Sequence, residues 1–285
     1  MPIILKNVSY TYQINTPFMR KALRDINLHL GNHEILGILG GTGSGKTTLL
    51  QIITGLLTPD SGQIVIDEAD IKHYRKKTVN IFDKIGIVFQ VPEEQIFEKS
   101  VFAEVAFGLQ KKKLSPAEIS RRVESALLSV GLSEDYYQRF TYSLSSGEKR
   151  RLAIASVLVL ETEYIFFDEP TAGLDYEGRT LLLDNIKKLN EEKRIGMIIV
   201  SHDPLELFNV CHKCVFLKDG QLIFSGDLQA WRDNYEFLTG QGMVFPKSQQ
   251  LVCELKRRGW DLKGEMKNFE EVAARIINCY DDISN

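Results

Sequence analysis

Residues 34–48 read EILGILGGTGSGKTT. An apolar run suited to a buried strand ends in a glycine-rich loop, and the loop passes through Lys46, Thr47 and Thr48 into the apolar stretch LLQIITGL. This strand–loop–helix order is the tightest constraint in the chain. Its spacing fits G-x-x-x-x-G-K-[ST], in which glycines let backbone N–H groups curl around phosphate oxygens without Cβ clashes. The helix that follows directs its N-terminus at the same anion. The candidate binding residues are therefore Gly40, Gly41, Thr42, Gly43, Ser44, Gly45, Lys46, Thr47 and Thr48. Lys46 is expected to reach the β- and γ-phosphates of a nucleotide, and the Thr47 hydroxyl to ligate Mg²⁺. The competing reading, a glycine turn with no ligand, does not account for the strand before it and the GKTT after it.

Around this loop the chain alternates strand and helix patterns. IILKNVSYTY and ALRDINLHL alternate apolar and polar positions and read as half-buried antiparallel strands. SGQIVIDE and IGIVFQ supply two more strands, and from PEEQIF to about residue 160 the pattern turns helical. Strands return in EYIFFDEP, IGMIIVSHD and CVFLKDGQLIFSG, with the helical GRTLLLDNIKKLNEEK between the first two. Such alternation implies a parallel sheet with right-handed crossovers, interrupted by a helical insertion. After Gly226 the tail reads as mostly helical.

Two further segments carry chemistry. YIFFDEP is a buried strand that delivers Asp168, a carboxylate able to hold a Mg²⁺ shell, followed at once by Glu169, placed to orient or deprotonate an attacking water. His202 follows the apolar strand IIVS. Strands of such a sheet converge at their C-terminal ends, which brings its imidazole towards the γ-phosphate. Tyr12 lies in the early strands, where it can stack on adenine or pack into the core. In LSSGEKRR, Ser145 and Glu148 form a capping-box pattern ahead of LAIASVLVL.

Composition excludes more than it proposes. With 44% hydrophobic and 26% charged residues the chain is an ordinary globular one, and a net charge of −3 provides no global attraction for polyanions. The clusters YRKK, KKK, EKRR and KRR are short and scattered, and read as solvated faces rather than a nucleic-acid groove. No apolar run approaches a bilayer span, the N-terminus does not read as a secretion signal, and four cysteines suggest a reducing compartment rather than a disulfide framework. The CHKC spacing of Cys211 and Cys214 lacks a second pair of metal ligands and reads as packing.

Taken in order, GGTGSGKTT, Gln90 in IVFQ, LSSGE, YIFFDEP, AGLD and SHD resemble the motifs of an ATP-binding cassette ATPase over residues 1–228. The resemblance implies an α/β P-loop NTPase core with an antiparallel β-subdomain and a helical subdomain at about 91–160. It also implies a head-to-tail dimer, with ATP and Mg²⁺ held between one subunit's loop and the other's signature motif. Gln90 joins Thr47 and Asp168 as an implied metal ligand, and Asp175 belongs to the implied D-loop. Ser145, Ser146, Gly147 and Glu148 occupy the signature slot, normally LSGGQ, and would face the partner's ATP. Ser146 replaces a glycine, which costs about 1–2 kcal/mol if its φ is positive. Glu148 replaces glutamine and brings negative charge towards an anion unless it folds back onto the helix. A working but slower site follows.

Within that family, VPEEQIFEKSVFAEVAFG and the tail VFPKSQQLVCELKRRGWDL resemble energy-coupling factor transporter ATPases. The insert QINTPFMRKAL resembles the second of two paired ATPase subunits in those systems. The implied partners are a second cassette, a transmembrane coupling protein and a substrate-binding membrane subunit that takes up a vitamin or metal ion, with no nucleic acid involved. Residues 229–285 would be a small, mainly helical dimerisation extension, and the subunit would lie at the cytoplasmic face of the cell membrane. Another cassette importer or exporter, a soluble cassette ATPase acting on nucleic acid, and a non-hydrolysing regulator are the alternatives. Glu169 argues against the last.

Overall fold

A computed structural model describes residues 2–72, 81–91, 95–260, 262, 266 and 269–284, the last six by backbone alone. The YRKK cluster and the PEE of VPEEQIF lie outside the described residues. Among the described residues, ten strands form two sheets. In chain order they are β1 (Ile3–Tyr12), β2 (Arg20–Leu30), β3 (Ile35–Leu39), β4 (Ser61–Ile66), β5 (Ala69–Asp70), β6 (Ile85–Val88), β7 (Tyr164–Asp168), β8 (Gly196–Ser201), β9 (Lys213–Lys218) and β10 (Gln221–Gly226). The smaller sheet, ordered β2-β1-β4-β5, is antiparallel. The larger runs β10-β9-β3-β8-β7-β6, parallel except for the β9–β10 hairpin at one edge.

The central strands β3, β7 and β8 are buried at every residue, as expected of a parallel sheet covered on both faces. Their two faces feed different cores. Leu36, Ile38, Phe166, Ile198 and Val200 pack with the smaller sheet and with helix α1 (Lys46–Ile53). Ile35, Leu39, Phe167, Met197 and Ile199 pack with the helical insertion and the helices that cover the other side. The period of two in β-structure makes this division: neighbouring residues must point to opposite cores. All parallel strands share one direction, so the Gly40 loop, Asp168 and His202 emerge at the same edge of the sheet.

The insertion contains α2 (Val101–Phe107), α3 (Pro116–Ser129) and α4 (Ser146–Leu158). Each begins at a serine whose side chain accepts a hydrogen bond from a backbone N–H three residues on: Ser100, Ser115 and Ser145. Helices α5 (Tyr176–Lys193) and α6 (Pro204–Val210) follow β7 and β8. The short α6 carries no periodic pattern long enough to be seen in the sequence; Asp203 caps it and Pro204 opens it.

The tail folds as α7 (Leu228–Asp233), α8 (Tyr235–Gly240), α9 (Lys247–Arg257) and α10 (Phe269–Ser284). Hydrophobic packing runs from the sheet into this tail. Trp231 is fully buried, its indole N–H donates to Cys214 O and Gly226 O at 3.3 and 3.1 Å, and its ring meets Phe208, Phe216, Phe224 and Phe245 edge-on. A separate small cluster of Val252, Leu262, Met266 and Val272 lies further along. Cys211 and Cys214 are buried, and their sulfurs lie 3.0 and 2.8 Å from where a Cβ on Gly37 would stand, so they pack against the strand that feeds the glycine loop. Among the described residues no helix is long and apolar enough to cross a membrane.

Candidate functional site

The loop after β3 closes through backbone that only glycine adopts readily. Gly43 has φ +79° and Gly45, the residue before α1, has φ +109°. A Cβ on Gly45 would also stand 2.7 Å from Ala22 O, and one on Gly40 would stand 2.5 Å from Ser44 Oγ. Lys46 is buried and turns back over the loop, its Nζ donating to Gly40 O at 2.7 Å and Gly41 O at 3.1 Å. Beside it, the buried Ser44 hydroxyl makes no hydrogen bond among the described residues. Buried polar atoms are nearly always paired, so this orphan suits a cradle that receives ligand oxygens. Thr42 is exposed at the loop tip.

The ends of β7 and β8 bring acids and imidazole to this loop. Thr47 Oγ1 donates to Asp168 Oδ2 at 2.9 Å. Burial pushes the Asp168 carboxyl above its ordinary pKa, and the Thr47 hydrogen bond partly opposes that. Glu169 has φ +50°, uncommon for a residue with a side chain. Its N–H donates to Val200 O at 3.0 Å, which anchors the turn to β8. One Glu169 oxygen lies 3.7 Å from Lys46 Nζ; the other is 2.7 Å from His202 Nδ1. Lys46, Glu169 and His202 thereby form one connected group, with the Thr47–Asp168 pair next to it along both chain segments. Thr47 and Asp168 pair a hydroxyl with a carboxylate, the hard oxygen donors that Mg²⁺ prefers.

Tyr12 and Thr48 sit beside the loop, joined by a 3.2 Å hydrogen bond between Tyr12 Oη and Thr48 Oγ1. Tyr12 stands edge-on to Tyr10 and lines a cavity of about 150 Å³ with Arg20, Gly43, Gly45, Lys46 and Thr47. It is half-buried rather than part of the apolar core. Gln90 is exposed, and among the described residues its side chain makes no hydrogen bond to Thr47 or Asp168. Its backbone carbonyl accepts from Arg150 Nη2 at 3.3 Å.

The stretch Ser145–Glu148 forms the start of α4, away from these contacts. Ser145 Oγ accepts from Glu148 N at 3.3 Å, and Glu148 Oε2 accepts from Ser145 N at 2.7 Å and Ser145 Oγ at 2.8 Å. Tyr136 Oη donates to Glu148 Oε1 at 2.8 Å. Burial raises the Glu148 carboxyl, but these donors outweigh it and hold the pKa below the ordinary range. Glu148 is therefore folded back as a charged cap. Ser146 is the first residue of the helix and lies outside the left-handed region, so the penalty conditional on positive φ does not apply. Gly147 has open space where a Cβ would go. Asp175 caps α5, accepting from Gly178 N at 2.8 Å.

Three residues at the site carried no sequence signal as single positions. Arg20 donates from Nη2 to Gly43 O at 2.9 Å; its cross-strand pairing with Tyr12 in the β1–β2 hairpin is the pattern that could have found it. Glu206 accepts from Thr171 Oγ1 at 2.7 Å and Ser201 Oγ at 2.8 Å, tying the turn after Glu169 to the residue before His202. Arg150 corrects the reading of EKRR as a solvated face: it is 4% exposed, because the fifth position of α4 points inward onto the loops at the sheet edge.

The profile of the family described as ABC transporter matches residues 23–172, from β2 through the glycine loop and Asp168 to the turn after it. This chain belongs to the ABC transporter family. As an ABC ATPase it binds and hydrolyses ATP. It is 40% identical over 278 residues to "Energy-coupling factor transporter ATP-binding protein EcfA2" of Clostridium acetobutylicum, with 97% of each chain covered. Among solved structures it resembles cbiO1 of Clostridium perfringens, part of the ABC transporter complex cbiONQ. That match has a TM-score of 0.76 and 35% identity, and covers 88% of this chain and 98% of that one. A dimeric ATP-binding cassette in a post-hydrolysis state, bound to ADP and Pi, matches with a TM-score of 0.69 and 29% identity, over 79% of this chain and 98% of that one.

Proposed function

We propose that this ABC ATPase is the motor subunit of an energy-coupling factor transporter and drives uptake of a vitamin or metal ion through membrane partners. Two cassettes would face each other head to tail, with ATP between the Gly40–Thr48 loop of one and Ser145–Glu148 of the other. Lys46 and the loop N–H groups hold the phosphates, and phosphate oxygens compete for the Lys46 ammonium with the Gly40 and Gly41 carbonyls. Glu169 takes the proton of the attacking water, and His202, hydrogen-bonded to it, fixes the carboxylate's orientation. Thr47, Asp168 and Gln90 would hold Mg²⁺, which supplies charge neutralisation at the β- and γ-phosphates. Tyr12 stacks on the adenine. The observation that carries this reading is the single connected group of Lys46, Glu169 and His202 next to the Thr47–Asp168 pair.

The remaining roles follow the same reading. Gln90 and the helical insertion receive a transmembrane coupling protein, which is joined by a substrate-binding membrane subunit, and the assembly places this subunit at the cytoplasmic face of the membrane. Residues 229–285 stabilise the cassette pair. No nucleic acid takes part. ATP drives closure because it binds the closed pair more tightly than the open one. The test is Glu169→Gln in the full chain assembled with its partner cassette, followed by light scattering with ATP. A long-lived ATP-bound pair with turnover lost is the expected result; turnover at the wild-type rate assigns the base to another residue.

A further inference from the structure

Arg150 makes a set of contacts that the roles above do not use. Nη1 donates to Pro170 O at 2.7 Å and Ala172 O at 2.6 Å, and Nη2 to Gln90 O at 3.3 Å. One guanidinium in α4 therefore holds two separate loops: the turn that begins at Glu169 and, at Gln90, the segment that follows β6. Hydrogen bonds from a charged donor are stronger than neutral ones, and a buried Arg left without them is costly. The same turn is also held by Glu206, through Thr171, and Glu206 holds Ser201 next to His202 as well. The Glu169 turn is thus suspended between α4 and α6.

The N-cap of α4 is Ser145, five residues before Arg150, or about 7.5 Å along the axis at a rise of about 1.5 Å per residue. Over that length a helix moves as a rigid body. A shift of its N-terminus would reach the Arg150 backbone, and the guanidinium's hydrogen bonds tie that backbone to Pro170, Ala172 and Gln90.

We propose that Arg150 is a positioning residue that couples the two nucleotide sites of the cassette pair. When the start of α4 engages the partner's nucleotide, Arg150 carries the displacement to its own subunit's Glu169 turn and to Gln90. The coupling rests on the head-to-tail arrangement proposed above. The guanidinium suits the task because its planar fork reaches several acceptors at fixed angles, which a lysine ammonium cannot do.

Steady-state turnover and ATP-driven association of the full chain with its partner cassette test the proposal. The variants are Arg150→Gln, Arg150→Lys, Ser145→Ala, and Ser145→Ala combined with Arg150→Gln. Arg150→Gln is expected to lower kcat about tenfold with KM within about twofold, since nucleotide contacts are untouched. Arg150→Lys keeps the buried charge and serves if the glutamine variant fails to fold; its kcat falls in the same direction by less. Residues acting in series do not add, so the double variant is expected to turn over no more slowly than the worse single one. Unchanged kcat in both Arg150 variants, a parallel change of KM and kcat, or losses that multiply in the double variant each overturn the coupling. ATP-driven association separates the two ideas. If ATP does not join the wild-type chain to its partner cassette, the head-to-tail arrangement fails. If it does, while the Arg150 variants turn over normally, only the coupling fails.

Discussion

At the scale of single residues, the site keeps groups in states the fold alone would not choose. Asp168 is the plainest case, a buried carboxyl whose pKa is raised chiefly by loss of solvent. Below the unfolded value of 3.8 the group is protonated in both folded and unfolded chains and contributes no difference. As pH rises through the raised folded value, the folded chain must carry a buried charge that the unfolded chain carries in water, so stability falls. Asp168→Asn removes that penalty. The variant is expected to have a higher Tm than wild type at neutral pH, by roughly 2–4 °C for each kcal/mol recovered, and to hydrolyse no ATP. Thermal unfolding of both proteins without nucleotide, at pH 4 and pH 8, checks the sign: the gap widens with pH. These residues were legible in the sequence because chemistry constrains their order and spacing. Arg150 and Glu206 were not, because their partners are backbone carbonyls and hydroxyls from distant segments, and nothing in EKRR or PLEL encodes them.

At the scale of elements, the start of α4 shows local and functional demands meeting in the same four residues. The capping box was visible as Ser145 and Glu148, three residues apart, but Tyr136 was not, since it comes from a turn outside the helix. Helix geometry leaves the Ser146 and Gly147 N–H groups without intrahelical acceptors, and these are the donors the element can offer an anion. Ser146 carries no backbone strain, so the charge of Glu148 is what separates this element from one with glutamine. Glu148→Gln with Ser146→Gly is expected to raise the ATPase rate of the assembled pair, most of the gain coming from Glu148→Gln alone. A drop in rate would count against the charge argument. The strands were equally legible where burial is complete, as in β3, β7 and β8, because uninterrupted apolar runs leave one solution. The short α6 was missed because seven residues span too few turns to show a period.

At the scale of the whole molecule, alternation of strands and helices disclosed the parallel sheet. The antiparallel sheet was legible in its first two strands and implied by the family resemblance, but that β4 and β5 join it was not, because pairing partners are not written in the period of either strand. The tail shows the same limit. Its helices were evident, yet only the structure shows Trp231 sharing one core with Phe208, Phe216 and Phe245. Trp231→Ala is expected to cost about 3–5 kcal/mol. Urea unfolding followed by tyrosine fluorescence and by far-UV circular dichroism is expected to show the whole chain shifting to lower midpoint. A shift confined to a small early transition would mean the tail unfolds by itself.

The Ser145 hydroxyl both accepts from and donates to Glu148, so its hydrogen-bonding capacity is turned inward. A partner's phosphate would therefore meet the unpaired Ser146 and Gly147 N–H groups first, and would win the Ser145 hydroxyl only by prising it from Glu148.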